Sequence, residues 1–153
     1  MNFIKKILLE SLNNDTLFYH GSNEKFLNFD IINNKTYKEF DIPVWFFTED
    51  KEYAKSYGKF LYVVKLHNKK LFDTSNSKDF ALFKNQVEEF EHDLDEILDE
   101  QFFNGLPYWT CEDAYYAAIS NGYDSILLQE ELEKEILSIG IFNKEDIEIL
   151  KVI

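Results

Sequence analysis

The stretch of sequence that most suggests chemistry is LFYHGS, residues 17–22, where an apolar and aromatic run ends in a histidine, a glycine and a serine. Such a run predicts a short strand, and the glycine predicts that the strand ends there. The imidazole of His20 and the bare backbone of Gly21 would then face the same small volume. This pairing suits a ligand pocket, although a histidine at a strand end can also be held by a backbone carbonyl for purely structural reasons.

A second set of candidates lies in VWFFTEDKEYAKSYG, residues 44–58. The aromatic run predicts a buried strand, and the residues after it predict a short helix that Thr48 caps and Gly58 ends. Tyr53 and Tyr57 lie four positions apart, so they share one face of this helix. We expect one of the two to pack in the core and the other to be available to a ligand.

Other arrangements that carry catalysis are missing from the sequence. His20, His67 and His92 lie far apart, and none has a second histidine or a cysteine at ligand spacing, so no metal site is expected. The single cysteine, Cys111, excludes an internal disulfide and fits a reducing compartment. No glycine-rich phosphate loop is present, and the five glycines leave no dinucleotide-binding Rossmann turn.

The chain is strongly acidic, and its basic residues are all lysines. Sixteen lysines against 29 acidic residues give a net charge of −13, and there is no arginine. A planar, two-pronged contact to a carboxylate or phosphate is therefore excluded. An average surface of this sign repels nucleic acid, so we expect no direct nucleic-acid binding. A basic partner and a small ligand held in a local pocket both fit this charge.

The length of the chain corresponds to one ordinary domain, and residues 1–153 are predicted to form it without a linker or repeat. Residues 1–12 predict an amphipathic helix, because their apolar run is too short and too interrupted by lysine for a signal sequence. Residues 26–42 are rich in asparagine and predict mostly loop. No stretch approaches a membrane span, so we expect a protein that does not engage a membrane, and its single cysteine favours a cytoplasmic one.

The middle of the chain is predicted to be a helical insertion over residues 78–122. Apolar residues recur every three or four positions over residues 80–102, which predicts one long helix with an acidic, solvated outer face that exposes His92. A second helix is predicted after it, with Thr110 as its N-cap and Asp113 as the capping-box partner.

Strands are predicted on both sides of this insertion. Residues 59–66, KFLYVVKL, are apolar enough for a central position, and residues 123–131 and 136–143 predict a pair joined by a charged turn. Asp124 is expected to turn the chain at the start of this pair. The order of helix, strands, helix and strands favours an α+β fold with a mainly antiparallel sheet and helices at its flanks.

Taken in order, FYHGS, VWFFTEDKEYAKSYG, LYVVKL, GYDSILL and IFNKEDIEIL resemble the ADP-ribosyltransferases of the His-Tyr-Glu type, which include the poly-ADP-ribose polymerases and many small bacterial and phage enzymes. The resemblance runs from Leu17 to the end of the chain and leaves the insertion aside. Tyr57 follows Phe46 by eleven residues, as the pocket tyrosine does in that family. The resemblance implies an ADP-ribosyltransferase-like split antiparallel β-sheet core with flanking helices, and NAD⁺ as the substrate.

The resemblance implies which residues would hold the nicotinamide end of NAD⁺. Gly21 would pair its backbone N–H and C=O with the carboxamide, for which the absence of a side chain is an advantage. Tyr57 would stack on the nicotinamide ring, and Phe46 would form the opposite wall. Ala54 stands where the polymerases have a serine that contacts the carboxamide, and Ser22 and Ser56 are the candidates to replace that serine.

The ribose end of NAD⁺ is assigned by the same resemblance. His20 would hydrogen-bond a hydroxyl of the adenosine ribose. Loss of nicotinamide builds positive charge on the other ribose, so a carboxylate is needed beside it. Ser138 occupies the position at which the family keeps this glutamate. The phage anti-CRISPR ADP-ribosyltransferases, which the chain resembles, have an acid at the end of the preceding strand, and this implies Glu130, with Glu131 and Glu135 as alternatives.

The function implied is that of a mono-ADP-ribosyltransferase, which cleaves NAD⁺ and transfers ADP-ribose to a side chain of a host protein. By analogy with phage enzymes, it would act in the host cytoplasm against a defence or regulatory protein. The acidic surface favours a protein acceptor, in particular a basic or nucleic-acid-binding one. Two alternatives are open: a catalytically inactive member that binds NAD⁺, which Ser138 suggests, and an inhibitor whose acidic stretch EEFEHDLDEILDE mimics nucleic acid.

Overall fold

Two larger β-sheets and a two-stranded hairpin, with helices packed around them, form the part of the chain that the computed structural model describes, residues 16–130 and 136–153. This arrangement is the predicted α+β fold. The predicted N-terminal helix over residues 1–12 lies outside the described residues. Within the described ranges, no helix is long and apolar enough to cross a membrane.

The first sheet is fully antiparallel and has the order β1-β3-β9. Its strands are β1 (Phe18–Ser22), β3 (Phe60–Leu66) and β9 (Ile147–Val152). The central position of β3 agrees with its sequence, because the run from Leu61 to Val64 is apolar and completely buried. The register places His20 opposite Tyr62.

The second sheet has the order β2-β8-β7-β4. Its strands are β2 (Trp45–Phe47), β4 (Leu71–Phe72), β7 (Ser125–Gln129) and β8 (Leu137–Ile141). The predicted pair formed by β7 and β8 is antiparallel, but β4 pairs with β7 in parallel at the edge, which departs from a purely antiparallel sheet. The helical insertion lies between β4 and β7 and is long enough for the crossover that a parallel pair requires.

The two sheets meet at one point in the described chain. Tyr19 of β1 and Thr48, just after β2, exchange backbone hydrogen bonds of 2.8 and 3.1 Å. On the other side of this bridge the two strands separate and belong to different sheets. The core is therefore a split sheet, with an opening between β1 and β2.

Helix α1 (Lys35–Phe40) lies within residues 26–42, which the sequence predicts as mostly loop. The side chain of Asn34 caps it by accepting a hydrogen bond from the N–H of Tyr37, at 2.9 Å. The amide group of the same residue donates to the carbonyl of Val44, at 2.8 Å, and so ties the helix to the start of β2. Local polar contacts of this kind form a short helix without an apolar repeat.

Helix α2 (Lys51–Lys55) begins at a different cap from the predicted one. The side chain of Asp50 accepts from the N–H of Tyr53 at 2.9 Å and is the N-cap. Thr48, the predicted cap, is instead buried at the bridge between the sheets, where its hydroxyl accepts from the N–H of Asp50 at 3.1 Å. Local preference would place Thr48 at the helix start, but its contact with the other sheet holds it outside the helix.

The predicted long helix over residues 80–102 is wrong, because the chain forms two helices, α3 (Ser77–Glu89) and α4 (Leu94–Glu100). Glu91 adopts a left-handed conformation, with φ of 56°, which stops α3. Asp93 then caps α4 by accepting from the N–H of Glu96 at 3.3 Å. The apolar periodicity of the sequence continues across the break between the two helices, so the periodicity gave no sign of the break.

A short hairpin, β5 (Phe102–Phe103) and β6 (Leu106–Pro107), follows α4, where the sequence predicts only the end of a helix. Asn104 and Gly105 form its turn, and both have positive φ, 51° and 80°. An Asn-Gly pair is the preferred sequence for such a two-residue turn.

Helix α5 (Glu112–Ser120) has Cys111 as its N-cap residue, not the predicted Thr110, and no side chain caps it. Asp113, the predicted capping-box partner, has another role. Its carboxylate contacts Nδ1 of His92 at 2.8 Å and so links the α3–α4 junction to α5. His92 is exposed, as predicted.

Two apolar clusters form the core. One packs α3 and α5 against the second sheet and includes Phe72, Phe83, Val87, Tyr115, Ile126 and Leu128. The other lies where the two sheets meet and includes Phe18, Phe29, Trp45, Phe47, Tyr62 and Ile139. The second cluster is rich in aromatic rings, and these rings surround the end of β1.

The contact between His92 and Asp113 makes stability depend on pH. The hydrogen bond and charge of Asp113 raise the pKa of His92 above its ordinary 6.5. The stabilisation is therefore fully present below about pH 6.5 and is lost as pH rises through the folded-state pKa. We expect His92→Gln to lower the urea midpoint more at about pH 5.5 than at about pH 9. An equal loss at both pH values would show that the contact is not electrostatic.

Candidate functional site

A cavity of about 240 Å³ opens where β1 and β2 separate, and we call it the smaller cavity. Five of the six residues predicted as site residues line it: His20, Gly21, Phe46, Tyr57 and Glu130. They come from β1, β2, the end of α2 and the end of β7. The fold thus brings together candidates that lie far apart in the sequence.

The edge of β1 at Gly21 has free backbone groups that face away from β3. The N–H and C=O of Tyr19 bond to Thr48, on the side of β1 opposite β3, and those of Leu61 bond to Ile153, the residue after β9. Gly21 lies opposite Leu61 in a pair that exchanges no hydrogen bonds, and strand backbone groups alternate in direction. The N–H and C=O of Gly21 therefore point to the split, where no described residue bonds to them.

The absence of a side chain at Gly21 has a packing reason as well. A Cβ at this position would lie 1.8 Å from the carbonyl oxygen of Ala54 and 3.1 Å from Cβ of Tyr57. Helix α2 therefore lies directly on β1, closer than any other residue would allow. This approach sets the position of Tyr53 and Tyr57 relative to the free edge.

His20 is held in one orientation at the base of the smaller cavity. Its Nδ1 donates to the carbonyl of Phe46 at 2.8 Å, so Nε2 is the acceptor when the ring is neutral. Burial among apolar groups lowers the pKa of His20, outweighing the carbonyl contact, which raises it. The ring is consequently neutral at pH 7. Four aromatic rings pack around it: Phe26, Phe29, Phe47 and Tyr62.

Tyr53 and Tyr57 both line the smaller cavity, and the expectation that one of them packs in the core is wrong. Their hydroxyl groups are 2.6 Å apart, and their rings meet edge to face with centroids 5.2 Å apart. Tyr57 is 53% exposed and stands at the mouth of the cavity. The hydroxyl of Tyr53 also reaches toward the carboxylate of Glu130, at 3.5 Å. The two tyrosines and the acid therefore form one polar group.

Glu130 is the predicted acid that the structure places in the smaller cavity. It is half-buried at the end of β7, and its N–H donates to the carbonyl of Ile136 at 2.9 Å, which closes the base of the β7–β8 hairpin. This backbone hydrogen bond holds Glu130 in place even though it lies just beyond the last residue of β7. Glu131 and Glu135, the two alternatives, lie outside the described residues.

Ser138, at the position where the resembled family has its glutamate, does not line the smaller cavity. It is 1% exposed and lies opposite Leu128 in the β7–β8 ladder. Its hydroxyl has no hydrogen-bond partner in the part of the chain that the structure describes. A serine here supplies neither charge nor a donor to the cavity.

Lys35 and Trp109 are among the wall residues that were not assigned to the site from the sequence. Lys35, at the start of α1, lies in the stretch predicted as loop, and its Nζ sits 4.0 Å from the centroid of the Trp109 ring. Trp109 lines the smaller cavity as well. An asparagine cap before Lys35 was the local signal for α1, but nothing in the sequence connects that helix to Trp109.

A second, larger cavity of about 880 Å³ adjoins the first and shares His20, Lys35 and Phe46 with it. We call it the larger cavity. Ser22, predicted to bind the carboxamide in place of a serine at Ala54, lines this cavity and not the smaller one. Its hydroxyl accepts from the N–H of Glu24 at 3.1 Å.

The site has the chemistry of a binding cleft for a polar ligand with an aromatic ring. It offers a free peptide edge, aromatic walls, a neutral imidazole and a carboxylate. Cys111, the one thiol in the sequence, is not part of it: it is buried beside α5, and burial raises its pKa to about 12. No group of three or more metal-ligating side chains gathers within residues 16–130 and 136–153.

Comparison with known proteins shows a shared fold at low sequence identity. No protein-family model and no curated protein matches the sequence. The crystal structure of an anti-CRISPR protein superposes with a TM-score of 0.54 and 14% identity, over 90% of this chain and 95% of that one. The M. tuberculosis MbcT-MbcA toxin-antitoxin complex gives a TM-score of 0.46 at 10% identity, over 95% of this chain and 90% of that one.

The close packing at Gly21 leads to a prediction about stability. Gly21→Ala forces β1 and α2 apart, and we expect it to lower the free energy of unfolding by at least about 2 kcal/mol. Gly105→Ala is the contrast, because open space surrounds its added methyl and only its φ of 80° is unfavourable. We expect about 1 kcal/mol there. Urea unfolding of both variants measures this, and a Gly21→Ala variant as stable as the wild type would contradict the packing.

Proposed function

We propose that the chain is a mono-ADP-ribosyltransferase that takes NAD⁺ into the smaller cavity, releases nicotinamide and transfers ADP-ribose to a protein side chain. One observation carries the proposal. Groups of different chemistry from distant parts of the chain meet in this cavity: the strand edge at Gly21, the rings of Phe46 and Tyr57, the imidazole of His20 and the carboxylate of Glu130. The edge and rings suit an aromatic carboxamide, while the imidazole and carboxylate suit ribose.

The free edge of Gly21 matches a primary carboxamide. It offers one donor and one acceptor side by side, and a carboxamide presents one acceptor and two donors. The rings of Phe46 and Tyr57 supply apolar surface on which a planar heteroaromatic ring packs. Because Tyr57 is 53% exposed, its ring has surface left for such a contact. The site therefore recognises nicotinamide by shape and by two backbone hydrogen bonds.

His20 suits a ribose hydroxyl. Its Nδ1–H is occupied by the carbonyl of Phe46, so the neutral ring offers the lone pair of Nε2 to an O–H donor. Because burial lowers the pKa of His20, this acceptor is present at neutral pH. Protonation at low pH removes it, so affinity falls as pH drops through the folded-state pKa.

Glu130 would perform the electrostatic part of the reaction. The bond between the ribose C1′ and the nicotinamide nitrogen breaks, and its electron pair leaves with nicotinamide. A carboxylate beside the ribose stabilises the positive charge that develops at C1′. A lone pair of the acceptor side chain then forms the new bond to C1′, and its proton passes to Glu130 or to water.

The acceptor is proposed to be a basic or nucleic-acid-binding host protein. A net charge of −13 attracts basic surfaces and repels phosphate backbones. The fold shared with an anti-CRISPR protein is compatible with an effector that acts against a host defence protein. This part of the proposal concerns the biological role and is separate from the chemistry at C1′.

Release of nicotinamide from NAD⁺ tests the chemistry. We expect the wild type, incubated with host lysate, to release nicotinamide. Glu130→Gln removes the charge but keeps the shape, and we expect it to lower kcat by about a hundredfold or more. His20→Ala removes the hydroxyl acceptor, and we expect kcat/KM to fall at least about tenfold. The matched controls are Glu145→Gln and His67→Ala, at exposed positions outside both cavities.

The possible results separate the proposal from its alternatives. Loss of activity in both site variants but in neither control supports the enzyme. NAD⁺ binding to the wild type without nicotinamide release, even with lysate, would identify a catalytically inactive member. Neither binding nor release would favour the inhibitor in which the exposed acids of α3 and α4 mimic nucleic acid. Mass spectrometry of lysate proteins for added ADP-ribose identifies the acceptor.

Tyr53 is expected to act as a positioning residue for Glu130. Its hydroxyl lies between that of Tyr57 and the carboxylate, at 2.6 and 3.5 Å. Tyr53→Phe should lower kcat by roughly two- to tenfold and leave KM nearly unchanged, because the long contact to the acid is weak. Tyr37→Phe, on the exposed face of α1, is the matched control. Wild-type kcat in Tyr53→Phe would exclude a positioning role.

A further inference from the structure

Three lysines line the wall of the larger cavity in a protein whose overall charge is strongly negative. They are Lys35 and Lys38 on α1 and Lys144, which follows β8. We propose that these lysines form a binding site for an organic diphosphate. The assignment of this diphosphate to the ADP part of NAD⁺ rests on the proposed function, while the preference for a diphosphate rests on the cavity itself.

The lysines converge from two elements that meet at the cavity. Lys35 and Lys38 lie three positions apart, which puts them on neighbouring turns of one face of α1. Lys144 comes from the segment between β8 and β9 and lines the same cavity. Phosphate oxygens placed between these elements would therefore meet ammonium groups from both.

The local charge in the larger cavity differs in sign from that of the whole chain. Two acidic residues, Glu24 and Asp30, also line it, so the balance is three positive minus two negative, or +1, against −13 overall. One oxygen of Asp30 is engaged by the N–H of Ile32 at 2.9 Å. None of the three lysines forms an ion pair with a carboxylate in the described chain. Their charges are thus available to a ligand.

The absence of arginine makes lysine the residue that must bind phosphate here. A lysine ammonium acts as a point charge, so several are needed to hold a diphosphate that one guanidinium would grip in two places. The contact of Lys35 with the ring of Trp109, at 4.0 Å, restrains one of the three flexible side chains. Restraint of this kind lowers the entropic cost of binding.

The position of the lysines fits a ligand that spans both cavities. Lys35 and His20 line the smaller and the larger cavity alike, so they mark the border between them. A dinucleotide with its nicotinamide in the smaller cavity would carry its diphosphate past this border. The larger cavity, about 880 Å³, is within the usual size range of ligand pockets and has room for the remaining nucleoside. Asn23, Asn28 and Asn33 add amide groups to its wall.

Calorimetric titration of the full chain with ADP-ribose tests the site. We expect the double variant Lys38→Gln/Lys144→Gln to bind ADP-ribose roughly tenfold more weakly than the wild type at low salt. The difference should shrink as ionic strength rises, because salt screens exposed charges. Lys84→Gln, on the exposed face of α3, removes the same charge elsewhere and should bind like the wild type. Circular dichroism confirms that the variants fold.

Two further ligands identify which part of ADP-ribose the lysines recognise. Inorganic diphosphate should compete with ADP-ribose for the wild type and much less for the double variant. Nicotinamide should bind the wild type and the double variant equally, because neither Lys38 nor Lys144 lines the smaller cavity. If adenosine competes and inorganic diphosphate does not, or if the double variant binds ADP-ribose as tightly as Lys84→Gln, the proposal is overturned. Failure of the wild type to bind ADP-ribose overturns it as well.

The nicotinamide-release assay separates this proposal from the proposed function. Lysine-dependent binding of ADP-ribose without nicotinamide release would support the diphosphate site and overturn the enzyme. Nicotinamide release with the same KM for NAD⁺ in the wild type and the double variant would support the enzyme and overturn the diphosphate site. A KM about tenfold higher in the double variant, with kcat unchanged, supports both, because it is the sign of lost substrate binding.

Discussion

The candidate site depends on the backbone bridge between Tyr19 and Thr48, at which the two sheets join and then separate. If β1 and β2 continued to pair beyond it, the N–H and C=O of Gly21 would be consumed by the ladder, as buried peptide groups normally are. The split leaves them free. His20 spans the same opening through its bond to the Phe46 carbonyl, so one strand edge is satisfied by a side chain while the other stays available.

Packing transmits this constraint to the rest of the cavity. The approach of α2 to Gly21 is so close that no side chain fits between them, and this fixes where Tyr53 and Tyr57 stand over the free edge. The tyrosine hydroxyl groups in turn connect to Glu130, which arrives from the second sheet. These wall residues are therefore connected by direct contacts. A shift of α2 would move the rings of Tyr53 and Tyr57, and with them the hydroxyl groups that contact Glu130.

Local signals predicted the main strands, and the family resemblance predicted five of the cavity-lining residues, but neither predicted the features that tertiary contacts decide. The α+β order, the β7–β8 pair and the place of Glu130 at the end of β7 follow from residue types and turns, whereas β1 continues through His20 and Gly21 to Ser22, past its predicted end. The role of Thr48 could not be predicted. Its side chain is a good helix cap, but its backbone forms the bridge between the sheets, and Asp50 caps the helix instead. Lys35 was missed because the ring that its ammonium group contacts, Trp109, lies far from it in the sequence.

The acid at Glu130, and not at position 138, is consistent with the geometry of the β7–β8 ladder. Leu128 lies opposite Ser138, and Glu130 lies opposite Ile136, so Glu130 and Ser138 are diagonal neighbours on one face of the second sheet. Phe46 lies on that face as well, because it is opposite Gly140, two residues after Ser138. The carboxylate of Glu130 therefore reaches the cavity wall at Phe46 from the same face of the sheet. A glutamate at position 138 would reach that wall from this face as well. The strand end gives Glu130 access to solvent, whereas residue 138 is buried, and a buried carboxylate without a partner would carry a large desolvation cost.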